Sequence, residues 1–491
     1  MRHERVWKMG QRIELNWVPD STATIPMYQQ IISYFLARIQ TGDWLIGDQL
    51  PTQRQLAAQF GVNRSTISQA ITILLADGVL TTDHGAGTRI ASNSWSVMMA
   101  HDPMNWQDYI SSGEFVANQP VIQRINDLEG RGDLIRMSTG ELGPDLYPKA
   151  FIQRAMRQAA DQLTNLNYLP PLGLQALREA LVQRLSKWGI VTTPDNVLIT
   201  SGSLQSLQLI AVSLLEKGAT VYTTPASYLK SLRVLQSVNA QFSELPVDDN
   251  GPQYWHIKPT THQRLLYTIP TFDNPGGTVM DAQRRQDLLQ FAKTHQLPII
   301  EDTAYQDIWL DERPPQPLKA NDIAGNVLYL GSISKSLAPG MRLGWLVGSS
   351  AIIKRLADVK MQTDYGASSL SQQVLTAIFA DADYEAYLTE MRAAIRVRRD
   401  NAQRELERQL GDVATWNRPS GGFYIWVTLT PEISVTKLFN DAVEAGVLLN
   451  PGVVYDSHAT QQIRLSYGYE TSERFTEGLT IVAELIHQQL R

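Results

Sequence analysis

A lysine amine attacks a carbonyl carbon only when deprotonated, which calls for a partly buried position beside another cation. The stretch Gly331-Ser332-Ile333-Ser334-Lys335-Ser336-Leu337-Ala338-Pro339-Gly340-Met341-Arg342 has the parts for such a position. A β-prone run, Asn326–Leu330, leads into it, and Arg342 stands seven positions after Lys335. Ser332, Ser334 and Gly340 leave room for a bulky ligand to approach the backbone. By itself the stretch also suits a surface loop with a solvated lysine.

Further segments carry residue types that suit a phosphorylated, flat ligand. Ile199-Thr200-Ser201-Gly202-Ser203-Leu204 follows a β-like run and opens a helix, where free N–H groups and the Ser203 hydroxyl can hold phosphate. It is equally a junction of small residues chosen for packing. Tyr228, in Thr224-Pro225-Ala226-Ser227-Tyr228, is a stacking ring or a plain core tyrosine. Asn274 in Asp273-Asn274-Pro275-Gly276-Gly277 is a hydrogen-bond donor on a rigid turn, or the turn's own chemistry. Asp302, with Tyr305 three residues on, is a carboxylate at a strand's end or a helix N-cap.

From residue 131 onward, β-like runs alternate with amphipathic helices: Asn196–Thr200, Thr220–Thr223, Leu265–Thr268, Ile299–Glu301, Val327–Leu330 and Gly344–Val347. That alternation predicts an α/β fold with a mostly parallel sheet and ligands at the carboxyl ends of its strands. The candidates above all fall just past such ends. The 491 residues leave room for about three domains. A 43% hydrophobic and 19% charged composition is that of an ordinary globular chain. The net charge of −6 argues against coating a polyanion along the whole chain. Zero cysteines exclude disulfides, thiolate metal sites and cysteine nucleophiles, and fit a reducing compartment. No metal site is expected. Met1–Lys8 has no apolar signal core, and the apolar runs are far shorter than the roughly 20 residues of a membrane span. The expectation is a soluble cytoplasmic protein.

Residues 26–91 read differently. A helix from about Pro26 to Gln40 carries Met27, Ile31 and Phe35 at i+4 spacing. Thr52-Gln53-Arg54-Gln55 has the capping-box pattern. Gly61-Val62-Asn63 makes a turn, Asn63 can cap a third helix, and Ile67, Ala70, Ile71, Leu74 and Leu75 form its packed stripe. A hairpin follows, Val79–Thr82 and Thr88–Ile90 around Asp83–Gly87. Helix, helix, tight turn, helix and wing make a winged helix-turn-helix, whose third helix can enter a major groove. Between residues 21 and 90 four arginines (Arg38, Arg54, Arg64, Arg89) face four aspartates (Asp43, Asp48, Asp77, Asp83), with no lysine. Attraction to phosphate must therefore come from a few placed arginines, from dimerisation, and from the tail Arg2, Arg5, Lys8 and Arg12.

The segment Leu50–Ala57, the turn Gly61–Thr66 and the Gly85-Ala86-Gly87-Thr88 wing resemble the GntR family of bacterial regulators. The resemblance implies DNA contacts from Arg54, Arg64, Ser65 and Thr66, and from His84, Gly85 and Gly87 of the wing. Roughly residues 131–491 resemble the fold-type I, aspartate-aminotransferase-like enzymes that use pyridoxal 5′-phosphate, including the 28-residue interval from Asn274 to Asp302. That resemblance implies a Schiff base on Lys335, Asp302 on the pyridine nitrogen, and Asn274 and Tyr305 on the phenolic oxygen. It further implies Tyr228 stacked on the ring, and phosphate held by Ser203, Leu204, Ser332 and Arg342. At Leu204 relatives often carry glutamine, so only a backbone contact would survive there. Tyr168 resembles a tyrosine that reaches phosphate from the partner subunit, and Arg464 the arginine that takes a substrate α-carboxylate. The two parts together, with Gly140–Pro148, resemble the MocR subfamily of transcriptional regulators. The expected layout is a winged helix-turn-helix at 1–91, a linker at 92–104 and an aminotransferase-like domain at 105–491, in a head-to-tail homodimer. The implied function is transcription regulation at operator DNA, with an amine or amino acid sensed by exchange at Lys335. The alternatives are a working aminotransferase with an autoregulatory head, and a regulator for which the cofactor itself is the signal.

Overall fold

The structure is a computed structural model and describes Ile13, Leu15 and residues 17–41, 43–83, 87–91 and 116–491. The chain divides into two compact units, Met1–Gly113 and Glu114–Arg491.

In the first unit, helices α1 (Met27–Gln40), α2 (Gln53–Phe60) and α3 (Arg64–Ala76) precede an antiparallel hairpin, β1 (Leu80–Asp83) and β2 (Gly87–Ile90). The Thr52 side chain accepts from the Gln55 N–H and Gln55 reaches back, so the expected capping box opens α2. Gly61, at φ 66°, makes the left-handed turn toward α3 that a side chain would resist. Asn63 holds the N-cap position of α3, but its side chain makes no cap hydrogen bond, against the expectation. Ile31, Phe35, Leu56, Phe60, Ile67, Ala70, Leu74 and Ile90 bury themselves together, the inward stripes of three helices and a wing. Burying each large member contributes about 1.5–3 kcal/mol.

The second unit is built on a seven-stranded sheet. In chain order its strands are β3 (Val197–Thr200), β4 (Thr220–Thr223), β5 (Gln241–Glu244), β6 (Arg264–Thr268), β7 (Ile299–Asp302), β8 (Val327–Ser332) and β9 (Gly344–Val347). Their order across the sheet is β3-β9-β8-β7-β6-β4-β5. Only β9 runs antiparallel to its neighbours. The six other strands therefore end on one edge, and each β-like run of the sequence is one of these strands. β3, β7, β8 and β9 are buried along their whole length, as expected of strands covered on both faces. A smaller antiparallel sheet follows, with β10 (Ala414–Trp416), β11 (Tyr424–Leu429), β12 (Asn450–Pro451) and β13 (Gln462–Ser466) in the order β10-β11-β13-β12. The long helix Tyr384–Leu410 joins the two sheets. Its fully buried Arg399 forms a two-pronged ion pair with Asp311 (2.5 and 2.8 Å) and donates to the Pro419 carbonyl. Of the helical candidates before residue 130, Val121, Ile122, Ile125 and Leu128 lie on the helix Pro120–Glu129, whereas Trp106, Tyr109 and Ile110 lie outside the described residues. Among the described residues no helix is long and apolar enough to cross a membrane.

Candidate functional site

The carboxyl edge of the large sheet brings most of the expected residues together. Asp302 ends β7 fully buried, with one oxygen accepting from the Tyr267 hydroxyl (2.8 Å) and the other from the Ala304 N–H (3.1 Å). Burial pushes its carboxyl up, while Tyr267, Ala304 and the Lys335 charge hold it down. A protonated ring nitrogen would relieve that burial. Lys335, past the end of β8, is half-buried and donates to the Gly140 carbonyl at 2.7 Å. Asn274 accepts from Arg464 at 2.9 Å through its side-chain oxygen, which leaves its amide N–H₂ without a partner among the described residues. The Asn274 carbonyl accepts from the Tyr228 N–H at 3.0 Å, tying the tyrosine's loop to the asparagine's. Burial raises the phenol pKa values of Tyr228 and Tyr305.

Arg464, buried on β13, is held on several sides. It donates to Asn274 and to the Ser138 carbonyl, and its Nε atom has no partner among the described residues. Its guanidinium lies 3.9 Å from the Tyr424 ring centroid and 5.0 Å from that of Tyr455. Burial opposes the charge, but the Tyr455 and Tyr424 phenols outweigh it and its pKa is raised. An orphaned buried donor beside a stacked guanidinium suits a carboxylate.

The cradle proposed for phosphate is shaped by close contacts. Gly202, at φ 95°, stands where a Cβ would lie 2.8 Å from the Arg342 side chain, and a Cβ on Gly344 would lie 2.8 Å from the Ser203 nitrogen. Arg342 itself takes a left-handed backbone, φ 52°. Among the described residues its guanidinium makes only long contacts, to the Pro339 and Ser201 carbonyls (3.4 Å each), which leaves most of its donors without a described partner. Ser203 begins the helix Ser203–Leu214, as the phosphate reading needs. Leu204 points its side chain into solvent, which leaves its backbone alone for a contact. Behind this loop the buried Lys360 pairs with Asp364 at 2.6 Å, and Asp364 accepts from Gln205 and Ser201. Two expected contributors stand apart. The Ser332 hydroxyl turns into its own loop, accepting from the Ser334 N–H (3.1 Å) and facing the Leu343 carbonyl (3.4 Å). Tyr168 is 80% exposed and touches Tyr365 instead of the cleft.

Sequence reasoning missed Tyr267, Tyr424, Tyr455 and the carbonyls of Ser138 and Gly140. Tyr267 is the one aromatic residue of β6, one position before the strand's end. The carbonyls carry no sequence signal, because any residue supplies one. A cavity of about 420 Å³ is lined by Tyr267 and Asn274 with Ser227, Trp426 and His458.

In the first unit, Arg54 and Ser65 are exposed on α2 and α3, with Arg64 exposed and Thr66 half-buried at the start of α3. The two guanidiniums are free of partners among the described residues. The unit's other described arginines are committed: Arg38 pairs with Asp43 at 2.8 Å, and Arg89 donates to the Gly47 carbonyl at 3.0 Å. Gly87, at φ 85°, starts the second wing strand, whereas His84 and Gly85 lie outside the described residues, as do Arg2, Arg5, Lys8 and Arg12.

Comparison with known proteins matches these features to two families. Residues 132–479 match the family model "aminotransferase class I and II", and residues 27–90 match "bacterial regulatory proteins, gntR family". The chain belongs to the GntR-headed, aminotransferase-fold transcriptional regulators of the MocR type. It is 45% identical over 471 residues to the uncharacterized HTH-type transcriptional regulator YisV of Bacillus subtilis, covering 95% of this chain and 97% of that protein. It is 33% identical to the HTH-type transcriptional regulator NorG of Staphylococcus aureus, covering 88% and 97%. Among solved structures, a Pyrococcus horikoshii kynurenine aminotransferase in complex with PMP aligns at TM-score 0.73 and 30% identity, over 79% of this chain and 99% of that one. LysN, an α-aminoadipate aminotransferase of Thermus thermophilus, aligns at 0.71 and 25%, over 79% and 99%.

Proposed function

We propose that this transcriptional regulator senses an amino acid by amine exchange at Lys335, and that its GntR head carries the result to operator DNA. The cofactor is pyridoxal 5′-phosphate, which fits the buried Asp302 carboxylate, the free Asn274 amide and the open Arg342 guanidinium. When bound, it supplies an aldehyde carbon that an amine can hold and a ring that withdraws electrons. Asp302 keeps the ring nitrogen protonated, Asn274 and Tyr305 serve the phenolic oxygen, and Tyr228 covers the ring face. Ser203, the Leu204 N–H and Arg342 hold phosphate. Ser332 joins them if its hydroxyl turns outward, and Tyr168 joins from the partner subunit of a head-to-tail homodimer.

One observation carries the ligand's chemistry. Lys335 and Arg464 rest on the Gly140 and Ser138 carbonyls, two residues apart on one segment. A ligand amine that takes the place of Lys335 and a carboxylate that takes Arg464 would both act on that segment. It continues through Gly143, whose N–H donates to the Gly468 carbonyl (3.0 Å), to Asp145, which pairs with Arg398. An amino acid thus offers the segment a signal that a simple amine offers by half. The domain limits that serve this reading are a head at 1–91, a linker at 92–104 and a sensing domain at 105–491.

A functional aminotransferase with an autoregulatory head is the second reading, favoured by Lys335 standing free to move a proton once displaced. A spectral titration of cofactor-loaded protein with amino acids and amines tests the first reading. A fast spectral response with operator binding that follows it supports sensing. Rapid regeneration of the cofactor by a 2-oxo acid, near the roughly 10 s⁻¹ of a median enzyme, would favour the second. Operator binding that follows cofactor concentration alone would exclude amine sensing and pick out the cofactor itself as the signal.

A further inference from the structure

We propose that Tyr424 is a positioning residue of the cofactor site, acting through Tyr305. The inference rests on the functional reading above. Tyr424 opens β11, fully buried, and touches a neighbour on three sides. Its hydroxyl lies 3.0 Å from the Tyr305 hydroxyl, with the rings edge to face at 5.7 Å. Its ring face carries the Arg464 guanidinium at 3.9 Å. On the third side only hydrogen fits, since a Cβ on Gly140 would lie 2.0 Å from the Tyr424 oxygen. Gly140 is the residue whose carbonyl holds Lys335.

The hydroxyl pair has a directional consequence. Each phenol has one proton, and the Tyr305–Tyr424 hydrogen bond can run either way. If the Tyr305 hydroxyl donates its one hydrogen bond to the cofactor's phenolic oxygen, it can no longer donate to Tyr424. The bond must then run from Tyr424 to Tyr305. A hydroxyl that accepts a hydrogen bond donates a stronger one, so Tyr424 strengthens the grip of Tyr305 on the oxygen's negative charge. That charge is what holds the proton on the adjacent lysine nitrogen once the cofactor is attached. Tyr424 therefore lowers the pH at which that proton leaves. Tyr305 contacts the oxygen directly, and Tyr424 sets how strongly.

The test follows the visible absorbance of full-length, cofactor-loaded protein across the neutral and alkaline range. Tyr424→Phe keeps the ring beneath Arg464 and removes only the hydroxyl. Its titration should move upward by about 0.4–1 unit, the worth of one net hydrogen bond. In a Tyr305→Phe background the same substitution should add almost nothing, because its route is gone. Tyr424→Met, which also removes the ring, should show the same upward direction and covers the case of a poorly folded phenylalanine variant. A titration unmoved by Tyr424→Phe overturns the proposal. So does a shift that survives intact in the Tyr305→Phe background. If the wild-type protein shows no visible band, the functional reading fails before this one is reached.

Discussion

The two units handle charge in opposite ways. The head is neutral over residues 21–90, and among its described residues two free guanidiniums, Arg54 and Arg64, stand in solvent. The larger unit takes its important charges inside: Asp302, Arg399, Lys360 and Arg464 are all buried. An exposed arginine costs folding little and gains its energy only when phosphate or a base edge arrives, in a salt-dependent way. A buried charge must be satisfied at folding, so a ligand finds it already placed. The head is thus built for a large polyanion met at the surface, and the second unit for a small molecule taken out of water.

Lys335→Ala should break the second half of this contrast outright. Borohydride should fix the cofactor on Lys335 in the wild type, and mass spectrometry should find no adduct in the variant, although phosphate and ring contacts should retain some cofactor. An adduct on another lysine would remove Lys335 from the site. Arg399→Met comes next. Breaking a buried pair costs about 3–5 kcal/mol, with the lower value expected because Asp311 is 40% exposed at its side chain. Denaturant melts should show the loss in the larger unit and leave the head's transition in place. A melt unchanged in both would show that the ion pair holds nothing.

Glu301, one residue before Asp302, sharpens the comparison through pH. It is fully buried, accepts from the Leu318 and Lys319 N–H groups at 2.6 and 2.9 Å, and burial pushes its carboxyl up to about 7. The folded form holds the proton more tightly than the unfolded one, whose value is near 4.5. Its contribution is therefore full below the unfolded value and is lost as pH rises through about 7. At most about 3 kcal/mol is involved. Stability against pH should fall over that window in the wild type and be flatter in Glu301→Gln. Equal slopes would place the proton elsewhere.

The head's predictions are smaller. Arg64→Ala should weaken operator binding by about 1–3 kcal/mol if it reads a base edge, measured at fixed salt with the melt unchanged. A loss near zero would take Arg64 off the recognition surface. Arg38→Ala, which removes an arginine already paired with Asp43, should leave operator affinity within about twofold. A larger drop would mean that the paired and free arginines do not divide the work as proposed.

Much of this was legible because the signals are local. The α2 capping box, the three-helix stripe, five of the six parallel strands and the antiparallel β9 follow from spacing within short windows, whereas β5, Gln241–Glu244, was not read. Lys335, Asp302 and Asn274 could be placed on one edge because each follows a β-like run that the pattern revealed. The failures have a common cause. Asn63 occupies the cap position without using its side chain, although its backbone is as extended as that of Thr52, which does cap. Ser332 lies beside Lys335 in sequence, yet its hydroxyl is drawn to Ser334 and Leu343, which only the folded loop brings near. Tyr424 and Arg464 meet because β11 and β13 pair in one register, Trp426 opposite Arg464 and Tyr424 opposite Ser466. No window of sequence contains that pairing.

The glycine-lined loop around Gly202 bears on how fast the cofactor binds. Gly202 and Arg342 already sit in left-handed backbone conformations, and Gly344 packs a nearby strand against the helix start so closely that no side chain fits. The Lys360–Asp364 pair fixes the same loop from behind. The ordering cost of this loop falls on folding and leaves none for the moment of capture. Cofactor should accordingly enter a finished mould. Its phosphate-dependent capture should be a single fast phase that scales with concentration, and any slower phase should belong to the chemistry at Lys335.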